Sequence, residues 1–132
     1  MKVRYTTLVG GIDMKLTEAE WSVLEILWLE KEMALGEITK ALEPVNHWSK
    51  NTVHTYLTRM ESKGLVSIDR TKSKPYAAAV SREECAQHER EELLTKVYGG
   101  ATGDLIAAFL KESTITQKEV AKLRKMLDEM EV

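Results

Sequence analysis

The stretch from Trp48 to Val66, WSKNTVHTYLTRMESKGLV, constrains the fold more than any other part of the chain. Ser49 is a strong helix N-cap type. Apolar side chains then recur at Val53, Leu57 and Met60 with Tyr56 beside them, which predicts a helix with one buried stripe. Gly64 tolerates the left-handed conformation that ends a helix, and Leu65 begins a new element. The opposite face carries Lys50, Asn51, Thr52, His54, Thr55 and Thr58 instead of the Glu/Lys mixture of an ordinary solvated helix. Short donors and acceptors near a helix N-terminus are what base edges in a DNA major groove require, and Arg59 and Lys63 on later turns reach phosphates. The competing reading is a Thr-rich surface helix of an unrelated helical domain, and the flanking sequence decides between the two.

Upstream, Thr17 and Glu20 make a capping box that opens a first helix through about Trp28, with Trp21, Leu24, Leu27 and Trp28 on one side and Val23 and Ile26 widening the stripe. Glu30-Lys31-Glu32 is a polar break and Met33-Ala34-Leu35 a short extended piece. A second helix runs from Gly36 to Leu42, with Pro44 stopping it and residues 44–48 as connector. After Gly64 the period changes to that of strands, at Val66 and Ile68 and again over Tyr76–Val80, with the basic turn Thr71-Lys72-Ser73-Lys74-Pro75 between them. Three short helices followed by a two-stranded basic ribbon predict a winged helix-turn-helix. In that arrangement the third helix enters the major groove and the ribbon tip touches backbone.

The formal net charge of −2 means that nucleic-acid binding must rest on local segregation of charge. From His47 to Arg82 there are seven basic residues against two acidic ones, and over the next sixteen residues five acidic against two basic, the asymmetry of a module with one DNA-facing side. The single cysteine, Cys85, excludes an intramolecular disulfide and fits a reducing cytoplasm. No apolar run approaches the roughly 20 residues that cross a bilayer, so no membrane partner is expected. Residues 1–13, with Gly10-Gly11, read as a flexible lead-in, and Met14 fits a natural start.

Beyond the ribbon, Ser81 with Glu84 opens a long helix to about Tyr98, whose Arg90, Leu93, Leu94 and Val97 are spaced for a partly buried face before Gly99-Gly100. A fifth helix, 102–111, carries Leu105, Ile106, Phe109 and Leu110 on one side. Thr116 with Glu119 opens a sixth, in which Val120, Leu123, Leu127 and Met130 form an a/d seam of two heptads. So few residues bury little surface alone. Their stripes therefore predict a homodimer, the alternative being that they fold back as extra layers. The expectation is a mostly α chain with a small β-wing: a winged-helix DNA-binding domain over 14–80 and a helical dimerisation domain over 81–132.

Other chemistries fit less well. Cys85 and His88, at i and i+3, supply two ligands of a metal site, half of what a sensor needs. The more ordinary arrangement is a semi-buried cysteine beside a surface histidine. No G-x-S-x-G, P-loop or H-E-x-x-H pattern is present, so no catalytic residue, metal or cofactor is assigned. Trp21, Trp28 and Trp48 read as core anchors, and His47 and His54 as surface residues flanking the third helix, with His54 facing DNA. A winged-helix adaptor binding only protein is the runner-up, and the basic 50–82 segment speaks against it.

The combination Leu16-Thr17-Glu18-Ala19-Glu20-Trp21, Trp48-Ser49-x-x-Thr52-Val53 and Leu57-x-Arg59-Met60-x-x-Lys63-Gly64-Leu65 resembles the penicillinase-repressor family (the BlaI/MecI/CopY type) from Lys15 to about Met130. The resemblance implies a cytoplasmic bacterial repressor that binds a palindromic operator in double-stranded DNA as a homodimer. It further implies DNA contacts from Ser49, Asn51, Thr52, Thr55 and Arg59, and phosphate contacts from Lys72 and Lys74. Many members have Pro-Lys where this chain has Lys50-Asn51. The β-lactam branch is inactivated by a regulatory protease at an Asn-Phe bond in the fifth helix, and the matching bond here is Ala108–Phe109. The copper-responsive branch carries C-terminal cysteines, whereas this sequence ends DEMEV, which argues against copper sensing.

Overall fold

A computed structural model describes residues 8–9, 12–13 and 15–130. Within the predicted lead-in, Leu8–Val9 (β1) pairs antiparallel with Ile12–Asp13 (β2), and the rest of residues 1–13 lies outside the described residues. Then follow α1 (Glu18–Glu30), α2 (Leu35–Asn46), α3 (Lys50–Ser62), β3 (Val66–Ile68), β4 (Tyr76–Ala78), α4 (Arg82–Tyr98), α5 (Thr102–Glu112) and α6 (Gln117–Glu129). This is the mostly helical chain with a small wing that the sequence predicts. It divides into two compact units, Met1–Glu92 and Leu93–Val132, at a point within α4.

The capping boxes set three of the helix starts. Thr17 Oγ1 accepts from the Glu20 N–H at 3.1 Å while Glu20 Oε1 accepts from the Thr17 N–H at 2.9 Å; Ser81/Glu84 and Thr116/Glu119 repeat the exchange. The core of the first unit is built from Val23, Leu24 and Leu27 of α1, Ile38 and Leu42 of α2, and Val53, Leu57 and Met60 of α3. Met33, Leu65, Val66, Tyr76, Val80 and Cys85 close it. All three tryptophans are partly buried against this cluster. Trp21 and Trp28 meet edge to face with centroids 5.6 Å apart, and Trp28 Nε1 donates to the Val80 carbonyl at 2.9 Å, which ties α1 to the far end of the wing.

Two parts of the helical prediction need correction. The second helix does not stop before Pro44 but runs through it to Asn46, so residues 44–46 are helix and only 47–49 connect. A proline removes one i→i−4 bond, and in the last turn that loss is confined to a helix about to end anyway. His47, left-handed at φ 55°, closes the helix with its N–H on the Glu43 carbonyl at 3.1 Å. In α4 the buried positions are Cys85 and His88; of the predicted face Leu94 is half-buried as expected, whereas Arg90, Leu93 and Val97 are exposed, so the packed stripe lies earlier than the apolar spacing predicts. His88 is accordingly not the surface histidine expected.

The wing is an antiparallel pair with Val66 opposite Ala78, Ser67 opposite Ala77 and Ile68 opposite Tyr76, shorter than the predicted 76–80 strand. Met33 adds a single bridge: its N–H donates to the Tyr76 carbonyl at 2.9 Å and its carbonyl accepts from the Tyr76 N–H at 3.1 Å, while the extended piece predicted over 33–35 ends at Ala34 because Leu35 opens α2. Asp69 orders the wing turn by accepting from the Thr71 hydroxyl at 2.6 Å and the Thr71 N–H at 3.1 Å, and the hydroxyl contact lowers its pKa first of all.

Among the described residues of the second unit, Ile106, Phe109 and Leu110 of α5 and Leu123 and Leu127 of α6 are exposed, while Leu105 and Val120 are half-buried. Phe109 is 58% and Leu127 62% exposed, an unusual state for side chains of this size.

Candidate nucleic-acid interface

α3 is fixed at both ends by its own sequence. Ser49 Oγ accepts from the Thr52 N–H at 3.2 Å and lies 3.1 Å from Thr52 Oγ1. At the other end Gly64, at φ 83°, allows the Gly64 N–H to reach the Glu61 carbonyl (3.0 Å) and the Leu65 N–H to reach the Met60 carbonyl (2.9 Å), a Schellman closure. With 3.6 residues per turn, burial of Val53, Leu57 and Met60 forces Asn51, His54, Thr55, Thr58, Arg59 and Ser62 to the outside, and all six are exposed. His54, Thr55, Thr58, Arg59 and Ser62 line a shallow groove of about 350 Å³. Lys50 is exposed at the first turn, Ser49 is exposed at the cap, and Thr52 is half-buried.

The polar groups on this face are arranged by local contacts. The Thr55 hydroxyl donates to the Asn51 carbonyl at 3.0 Å, and the side chain is exposed, so its oxygen can still accept. The Arg59 guanidinium lies 5.2 Å from the centroid of Tyr56, whose ring stacks on Trp48 at 4.2 Å and 19°. Trp48 is thus a packing residue, and through Tyr56 it helps aim Arg59, a role that the sequence spacing alone does not reveal. Glu61, the acidic residue of α3, is met by both terminal nitrogens of Arg70 from the wing at 3.2 Å, which raises the Arg70 pKa.

Lys63 is placed differently from the other predicted contacts. Its Nζ lies 2.8 and 2.9 Å from the two carboxylate oxygens of Glu20 and 3.1 Å from the Lys15 carbonyl. Glu20 is only 3% exposed, so the same carboxylate that caps α1 binds the end of α3, and this ammonium is turned into the protein. Lys72 and Lys74 are exposed at the wing tip and paired with Glu32 (2.7 Å) and Glu37 (3.3 Å). Arg82 pairs with Glu25 and lies over the rings of Trp21 and Trp28 at 5.8 and 5.7 Å.

Cys85 and His88 are both buried in the first unit, and among the described residues no group of three His, Cys, Asp or Glu side chains is placed to hold a metal. Burial pushes the Cys85 thiol up to about 11, helped by Glu84 and Glu89, so it is a neutral core residue at neutral pH. No described helix is long and apolar enough to cross a membrane.

The fold is that of a winged helix-turn-helix whose third helix turns a polar face outward. Over residues 16–129 the sequence matches the penicillinase repressor family, and the chain belongs to it. It is 28% identical over 117 residues to the methicillin resistance regulatory protein MecI of Mammaliicoccus sciuri, covering 86% of this chain and 94% of that protein. The penicillinase repressor of Staphylococcus aureus is 28% identical over 120 residues, covering 89% and 94%. An uncharacterized 16.5 kDa protein of Latilactobacillus sakei is 24% identical over 114 residues, covering 86% and 78%.

Proposed function

We propose that this protein is a transcriptional repressor that binds a palindromic operator as a homodimer. The observation that carries this reading is the outward face of α3, where short polar side chains stand on a helix locked at both ends. Asn51, Thr55 and, at the first turn, Ser49, Lys50, Thr52 and His54 meet base edges and nearby backbone, while Arg59, Lys72 and Lys74 neutralise phosphates. Lys63 holds α3 against Glu20 and is left out of the phosphate contacts. Residues 14–80 carry the reading and 81–132 the pairing, through Leu105, Ile106, Phe109, Leu110, Val120, Leu123 and Leu127. The exposure of Ile106, Phe109, Leu110, Leu123 and Leu127 in the single chain supports cover by a second copy.

Tethering two half-site contacts makes the second intramolecular and raises avidity by roughly 10² to 10⁴. Repression is then steric occupation of the promoter. Anything that splits the dimer, a signal not identified by the sequence or a cut by a regulatory protease at Ala108–Phe109 in α5, releases DNA with no change to a base contact. The division of roles is tested by two variants. Arg59→Ala weakens binding to every duplex and reduces the slope of log K against log salt by about one. Thr55→Ala alters discrimination at particular base pairs by about 1–3 kcal/mol. Equal losses on selected and random DNA for both variants contradict the assignment.

A further inference from the structure

The cations of the wing tip are not left to solvent. Lys72 faces Glu32 and Lys74 faces Glu37, both carboxylates coming from the segment between α1 and the first turn of α2. That segment is fastened beside the wing. Met33, next to Glu32, exchanges both backbone hydrogen bonds with Tyr76 of β4, at 2.9 and 3.1 Å. Glu37 uses Oε1 to accept the Ala34 N–H at 2.8 Å, which caps α2, and presents Oε2 to Lys74. The Glu37 pKa is lowered by the Ala34 contact and then by Lys74, and the Lys72 pKa is raised by Glu32. The Glu37 carboxylate is therefore a fixed acceptor, and Glu32 is kept beside the wing by the paired backbone of Met33 next to it.

We propose that Glu32 and Glu37 are built-in competitors for the wing lysines, occupying the places of DNA phosphates and so setting how strongly the wing grips DNA. The proposal rests on the DNA-binding reading above and concerns its strength and salt dependence, not its existence. An exposed Lys–Glu pair is weak in water, so phosphate displaces the carboxylate at small cost. Once displaced, the carboxylate remains close to the phosphate and repels it. The wing then contributes less than two unmasked lysines, and a duplex held by phosphate contacts alone is held loosely. Since such contacts supply essentially all sequence-independent binding, these two acids restrain it.

The test is a salt titration of the full chain with a random-sequence duplex, comparing wild type with the Glu32→Gln/Glu37→Gln variant. Glutamine keeps the oxygen that caps Ala34 while removing the charge, and melting curves of the two proteins check that the fold is retained. The expected result is binding about tenfold tighter near physiological salt, with a salt slope steeper by as much as about two. Adding Lys72→Met/Lys74→Met to that variant removes the gain. Unchanged or weaker binding by the folded double-Gln variant, with wild type still binding, overturns the proposal and makes the pairs devices that orient the wing. Failure of the wild-type chain to bind any duplex overturns the underlying reading instead.

Discussion

The two compact units treat their apolar residues in opposite ways. Among the described residues, 1–92 contain every buried core side chain, from Val23 to Cys85, whereas none of 93–132 is buried. Both have amphipathic helices with well-formed caps, so local helix formation is not what separates them. The first unit has three helices, most of α4 and a ribbon enclosing a common centre, while the second has α5, α6 and the end of α4, too little chain to close around a stripe. One unit completes its fold within the chain. The other leaves its stripes exposed, and a second copy is the cover proposed.

Truncation breaks or sharpens this contrast most strongly. Leu57→Ala, in the core of the first unit, is expected to cost about 2–5 kcal/mol of stability, read by urea unfolding with the helical signal. Leu127→Ala removes the same side chain from an exposed site. It is expected to leave the unfolding of the first unit nearly unchanged while sedimentation shows the dimer dissociating at higher concentration. Equal effects on unfolding and none on association would erase the distinction between the units.

A smaller effect follows from Lys63→Met, which leaves the Glu20 carboxylate buried without its ammonium. Loss of one partner of such a pair costs about 3 kcal/mol, and the loss should show in urea unfolding. A Lys63→Met protein of wild-type stability whose DNA salt slope is lower by one would return Lys63 to the phosphate contacts.

The smallest effect is at Cys85. Its folded pKa, about 11, lies above the usual thiol value, so its contribution to stability is full below the unfolded pKa, near 9, and is lost as pH rises through about 11. The loss is on the order of 2 kcal/mol. Against a Cys85→Ala reference, wild type should lose more stability between those pH values, and the native thiol should resist alkylation. Rapid labelling of folded protein at neutral pH would contradict the core role.

What was legible in the sequence is what local chemistry dictates. Thr17, Ser81 and Thr116 announce their helices because a capping box needs only residues three apart, and Gly64 announces the end of α3 for the same reason. The outward set Asn51, His54, Thr55 and Arg59 followed from helical period alone. What was not legible depends on distant partners. Nothing near Lys63 tells that Glu20, 43 residues earlier, takes its ammonium, nor that Glu32 and Glu37 lie against the wing tip. Pro44 misled because its helix-breaking effect depends on how much helix remains to be broken, and here only a final turn did.

The most direct measurement is selection of duplex DNA by the full-length chain from a randomised pool at physiological salt, followed by sequencing. An α3-reading dimer predicts enrichment of an inverted repeat whose half-sites are centred about one helical turn, roughly 10 base pairs, apart or a multiple of it. It also predicts that Asn51→Ala and Thr55→Ala change the selected bases. A pool that stays random, or a repeat selected unchanged by both variants, would contradict the account.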